Sequence, residues 1–177
     1  MSHGPDTQTG AETAPAGPLG RAVVALVRLG AMLSVTLILV TFAIVIVAIT
    51  RRYVLGQPIL WGDQLIGYLL VAIVMLGAAE ALRRGDHIGI DLLADRAGPR
   101  LKVAQSLFSS AAVLAFAVVL GLSTWESIVF ARLFGSYSVG YIEIETWIPQ
   151  VPVVAGMILL FMTAALGLYR TLRGRPQ

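Results

Sequence analysis

Glu80 stands three and four residues ahead of Arg83 and Arg84, and His87 follows between Asp86 and Asp91. These residues have the types and spacing to do chemistry. An ionisable side chain in an apolar run is a candidate for a proton or ion relay. On a helix, though, a carboxylate and guanidinium groups three and four residues apart share one face and pair. Two arginines within reach of one glutamate make Glu80, Arg83 and Arg84 a structural ion pair near a helix end. His87 lacks the companions that a ligand or a catalytic base requires. The chain has one other histidine, His3, and no cysteine. Haem ligation, an intramembrane serine protease and thiol redox chemistry each need residues that are missing here. No catalytic residue, cofactor-binding residue or metal site is expected, and the chain does not read as an enzyme.

The elements that position these residues are apolar. Of 177 residues, 57% are hydrophobic and 13% charged, where a soluble domain carries about 25% charged residues. Four long stretches lack the charge density of a soluble helix, at residues 29–50, 64–82, 103–125 and 146–169. Each is close to the roughly 20 residues that cross a bilayer core as a helix. Backbone groups in lipid must be paired within their segment, and the alternating polarity of a barrel strand is absent. The expected fold is therefore an all-α integral membrane protein with four transmembrane helices, spanning residues 21–175. Residues 1–20, rich in Gly, Pro, Ala, Thr and Ser, read as a disordered tail rather than a signal peptide. A net charge of +3 without a basic patch gives no reason to expect nucleic acid.

Basic residues set the orientation. Four spans put both termini on one side. That side holds Arg21 and Arg28, then Arg83, Arg84, Arg96, Arg100 and Lys102, then Arg170, Arg173 and Arg175. Arg51, Arg52 and Arg132 lie on the other. Both tails and the middle loop are expected to be cytoplasmic. In that loop Ile90, Leu93, Ala94 and Ala97 fall on one helical face, which predicts a short amphipathic helix between spans 2 and 3. The rival reading is an extended segment with Ile88, Ile90 and Leu92 at period two. No internal repeat is evident, which weakens any reading as a self-sufficient transporter built on inverted repeats.

The polar groups that bracket the second span have both ordinary and functional readings. Arg51 and Arg52 suit a helix C-terminus and the headgroup layer, yet they run against the positive-inside bias. Trp61 suits an interfacial anchor and Asp63 an N-cap. All four, with His87 and Asp91, are also candidates for contact with another protein, and a fold-back of the loop would let Arg52 pair with Asp63. Small residues recur at i, i+4 spacing at Gly77/Ala81, Ala111/Ala115 and Ala117/Gly121, for packing within the chain or against a larger subunit.

The pattern Arg52-Tyr53-Val54-x-Gly56-x-Pro58-x-x-Trp61-x-Asp63 resembles the small membrane subunit of TRAP transporters, the DctQ-like family. So do Gly77-Ala78-Ala79, Arg83 and His87-Ile88-x-Ile90-Asp91. The match covers Arg51 to Asp91, about a quarter of the chain. One departure stands out: the family usually places Glu just before the apolar run, where this chain has Gln64 beside Asp63.

The resemblance implies an accessory, scaffold-type subunit in the bacterial inner membrane. It would pair with a large permease subunit that holds the substrate and ion sites. A periplasmic substrate-binding protein would deliver an organic acid, and an ion gradient rather than ATP would drive symport. It also implies a structural or interface role for His87 in the cytoplasmic loop. The alternatives from other classes are a small membrane subunit of a redox complex and an autonomous small exporter.

Overall fold

The computed structural model describes residues 17–84 and 99–172. Four helices account for most of them: α1 (Gly17–Tyr53), α2 (Gly62–Arg84), α3 (Pro99–Leu133) and α4 (Val151–Leu172). All four contain a window long and apolar enough to cross a membrane. Among the described residues there is no strand, only an isolated antiparallel bridge between Tyr137 and Glu145. Gly17–Gly20, assigned to the tail by composition, are the first turn of α1. The expected amphipathic helix at 90–97 lies outside the described residues.

Helix lengths differ in a way that bears on the site. α2 and α4 have 23 and 22 residues, about 35 and 33 Å, close to the roughly 30 Å hydrocarbon core. α1 and α3 have 37 and 35 residues, about 55 and 52 Å, and overshoot the core by about 20 Å. The third apolar stretch ends before Glu126, but the helix runs on through Glu126 and Arg132 to Leu133. Gly135 stops it with a φ of 59°, and the Ser136 N–H returns to the Ala131 carbonyl at 3.0 Å. That bond and the left-handed glycine form a Schellman-type cap. The fourth helix starts later than the onset of apolar sequence. A 3-10 turn at Ile148–Gln150, with a proline in it, precedes Val151.

α4 is the central helix. It packs against α3 and α2 and more lightly against α1, whose main partner is α2. The core joins Val27, Ala79, Ala117, Met157 and Leu160, with Met75, Leu120 and Leu159 packed around it. Close approach depends on small residues. A Cβ on Gly156 would sit 2.7 Å from the Met75 carbonyl carbon, so α4 lies directly on the α2 backbone there. Gly77 faces Ser34, whose hydroxyl donates to the Ile73 carbonyl at 2.9 Å. Of the small-residue pairs seen in the sequence, Ala117 and Gly121 are used inside, with Gly121 against Met157. Ala111, Ala115 and Ala81 are exposed.

Outer surfaces are apolar. The most hydropathic windows of α1 and α3 are each only 6% buried within the chain. Leu29, Leu39 and Phe42 on α1, and Val119, Leu122 and Phe130 on α3, face outward. Threonines in the spans do not break this pattern. Thr36, Thr41, Thr50, Thr124 and Thr163 each donate to the carbonyl four residues earlier. Their polarity is satisfied within their own helix.

Candidate functional site: the two polar brackets of the second helix

The bracket at the C-terminal end of α2 is compact. Glu80 is 7% exposed although it is charged. Arg83 Nε donates to Glu80 Oε2 at 2.7 Å and Arg83 Nη2 to Oε1 at 2.8 Å. Arg84 Nε reaches the same Oε1 at 2.8 Å. One turn of helix puts all three groups together, as the i, i+3 and i, i+4 spacing requires. Both carboxylate oxygens are occupied, and the bidentate Arg83 contact is the stronger geometry. Arg84 keeps most of its side chain exposed, 63%, against 24% for Arg83. An oxygen held this way is a poor ligand for a moving cation, because binding would first break a charge-assisted bond. His87 and Asp91 lie outside the described residues.

The bracket between α1 and the N-terminal end of α2 is open. α1 ends at Tyr53, and the Gln57 N–H closes back on the Arg51 carbonyl at 3.0 Å, with Gly56 at a φ of 64° making the turn. Arg51 Nη2 contacts Gln57 Oε1 at 3.3 Å. The Arg52 guanidinium lies 5.9 Å from the centroid of the Tyr53 ring. Arg51, Arg52, Trp61 and Asp63 are all exposed. Arg52 and Asp63, which a fold-back of the loop could have joined, do not pair. Asp63 is not the N-cap either. The first helical bond runs from the Leu65 N–H to the Trp61 carbonyl at 3.2 Å, which makes Asp63 a first-turn residue. Its charge there still suits the helix dipole.

Sequence reasoning missed the densest polar contact in the described residues, which centres on Gln64. Its Nε2, with two N–H groups, lies within donating distance of three acceptors: Ser138 Oγ at 2.9 Å, Tyr68 Oη at 3.0 Å and the Ile142 carbonyl at 3.2 Å. Its Oε1 accepts from the Ile142 N–H at 3.2 Å. Tyr68 and Ser138 hydroxyls also share a hydrogen bond. Ser138 and Ile142 are 74 and 78 residues away from Gln64 along the chain. In the sequence Gln64 shows only as the departure from the family's Glu, one helical turn before a tyrosine at the head of an apolar run.

The loop that Gln64 meets is itself ordered by backbone bonds. Ser138 N–H donates to the Ile144 carbonyl at 2.8 Å, and Thr146 binds the Ser136 carbonyl through both its N–H and its hydroxyl, each at 3.0 Å. Arg132 lies 5.1 Å from the Trp147 ring centroid, and the Trp147 indole donates to Glu145. Val139, Tyr141 and Tyr137 at the tip are strongly exposed.

Comparison with known proteins covers most of the chain. The family model for the DctQ component of tripartite ATP-independent periplasmic transporters matches residues 41–174. The C4-dicarboxylate TRAP transporter small permease protein DctQ of Vibrio cholerae is 34% identical over 88 residues, 50% of this chain and 36% of that protein. The protein of the same name from Pseudomonas aeruginosa is 27% identical over 123 residues, 68% of this chain and 59% of its own length. A stretch of 58 residues is 38% identical to the sialic acid TRAP transporter permease protein SiaT of Haemophilus influenzae, covering 33% of this chain and 9% of that protein. The matches thus span between about a third and three fifths of the two DctQ relatives. With its four apolar helices and a family match over residues 41–174, this multi-pass membrane chain belongs to the DctQ component family of tripartite ATP-independent periplasmic transporters.

Proposed function

We propose that this chain is the non-enzymatic, accessory wall of a TRAP transporter for an organic acid, working beside a large permease subunit and a periplasmic substrate-binding protein. The observation that carries this reading is the outer surface of the bundle. α1 and α3 each bury only 6% of their most apolar window within the chain. Most of their apolar face is left for lipid or for another membrane polypeptide. Among the described residues Glu80 is the buried acidic group, and two arginines at a helix end hold both of its oxygens. Support for a large partner comes from SiaT, a permease in which the similar stretch is 9% of the length. Relatives named for C4-dicarboxylates and for sialic acid support a carboxylate cargo.

The bacterial inner membrane, with both termini and the middle loop cytoplasmic, fits the division of basic residues described above. Arg51, Arg52, Trp61 and Asp63 would then face the periplasm, exposed and available to the binding protein. His87 and Asp91 would face the cytoplasm and serve as partner contacts.

Reconstitution in proteoliposomes tests the reading. Large and small subunits with the binding protein and an ion gradient should accumulate substrate, and the small subunit alone should not. Uptake by the isolated chain would make it an autonomous exporter. A haem spectrum in the purified protein would make it a redox subunit. A full-rate system lacking the chain would remove the accessory role.

A further inference from the structure

We infer that the Gln64 carboxamide is a latch that holds irregular backbone of the outer loop inside the membrane interface, and that it works because it is neutral and two-sided. The inference does not depend on the transport reading.

Register sets the need for it. Gln64 reaches Ile142 and Met75 reaches Gly156, so α2 and the chain entering α4 run in the same direction. Val151, five residues before Gly156, is then level with about Leu70. α4 therefore begins roughly 12 Å further along the bundle than α2 does. Because α2 is only a little longer than the hydrocarbon core, its first residue stands near the membrane surface. Residues 136–150 fill the outer end of the bundle beside the first two turns of α2, and most of them are not helical.

Non-helical backbone at that depth is tolerated only where protein supplies its hydrogen bonds. Ser136, Ser138, Ile144 and Thr146 are supplied within the loop. The Ile142 N–H is supplied by Gln64, and its carbonyl, which accepts from the Ile144 N–H at 3.0 Å, takes a second bond from Gln64. The amide oxygen accepts its N–H and the amide nitrogen donates to its carbonyl, at 3.2 Å each. This is the pairing a neighbouring backbone would offer. A carboxylate can do only the first half, since it has no proton to donate and would repel the Ile142 carbonyl. Gly140 makes room: a Cβ there would stand 2.7 Å from Gln64 Cδ and 2.9 Å from Nε2. Its φ is not left-handed, so clearance rather than backbone freedom is what the glycine supplies.

The test measures hydrogen exchange of residues 136–147 in the full chain in lipid nanodiscs. Gln64→Leu and Gly140→Ala should each lower protection of this segment by about tenfold or more, as expected when two bonds of ordinary net strength are lost. Residues 54–61, in the other outer loop, should keep theirs. Gln64→Glu separates the two halves of the latch. At about pH 8, where the carboxylate keeps only the accepting half, its protection should fall part of the way toward that of Gln64→Leu, and at about pH 4 a protonated carboxyl, which can donate again, should restore it. The ionisable groups of the segments that meet here are Asp63 and Tyr68 on α2, Tyr137, Tyr141, Glu143 and Glu145 on the loop, and Arg132 at the end of α3. Their own titration is controlled by following the unsubstituted chain over the same range, where protection corrected for intrinsic rate should stay flat. If Gln64→Leu does not fold, Gly140→Ala and Tyr68→Phe decide. Unchanged protection in Gly140→Ala, or full protection in Gln64→Glu at about pH 8, overturns the inference.

Discussion

Gly156→Ala adds one methyl group at the point where α4 touches the α2 backbone. Its Cβ would stand 2.7 Å from the Met75 carbonyl carbon, 2.8 Å from Met75 Cβ, and nearer still to the carbonyl oxygen. Ordinary contact begins at 3.4 Å, so the helices must separate by at least about 0.7 Å. No side-chain rotation relieves a clash with backbone. Overpacking of this kind costs about 1–3 kcal/mol. Alanine regains up to about 1 kcal/mol over glycine in a helix interior. A net loss of about 1–2 kcal/mol is expected, felt at Met157 and Leu160 in the core beside it. The assay is thermal unfolding in detergent with three companion variants. Gly67→Ala points into open space and should be neutral or stabilising. Gly121→Ala meets Met157 Cβ at 3.5 Å and should behave similarly. Gly30→Ala meets a flexible Leu159 methyl at 2.8 Å and the Leu76 carbonyl oxygen at 3.3 Å, and should fall between these and Gly156→Ala. If Gly156→Ala unfolds at the same temperature as Gly67→Ala, the close α2–α4 crossing is refuted.

Glu80→Gln leaves Arg83 and Arg84 without a countercharge. Breaking a fully buried pair costs about 3–5 kcal/mol, but these arginines can turn toward the headgroups, so about 1–2 kcal/mol is expected in the same unfolding assay. The assembled transporter should keep its coupling stoichiometry, and a changed stoichiometry in vesicles would make Glu80 an ion site. For topology, an impermeant maleimide should label a cysteine at the fully exposed Val139, Val139→Cys, in intact cells and leave Arg173→Cys unlabelled; the opposite pattern inverts the orientation. Arg52→Ala combined with Asp63→Ala should leave the chain's own melting temperature within about a degree or two, because both side chains are exposed and unpaired with each other. It should lower uptake by the complete system through assembly or docking, and unimpaired uptake would remove both residues from any interface.

Some of this protein was legible in its sequence because the causes are local. A membrane span is a property of consecutive residues: lipid demands a continuous apolar run, and charge marks its ends. The Glu80–Arg83–Arg84 cluster is equally local, since a helix alone puts residues three and four apart on one face. The resemblance of Arg51–Asp91 to the DctQ-like family also required only reading along the chain, and the match over residues 41–174 extends it.

Tertiary structure decided the rest, because it depends on which surfaces meet. Charge counting allowed Arg52 and Asp63 to pair; in the fold Arg52 turns to Tyr53 and Asp63 stays in solvent. Three small-residue pairs had the same spacing, and only the packing of α4 distinguished the buried Ala117 from the exposed Ala111 and Ala115. Gln64 was visible only as a departure from a family pattern. Its meaning arises from Ser138 and Ile142, 74 and 78 residues later, which meet it because α4 starts deeper than α2 and the loop must fill the difference. Hydropathy locates helices one at a time. The offset between two of them, which creates the need for a polar side chain at membrane depth, exists only once they are packed.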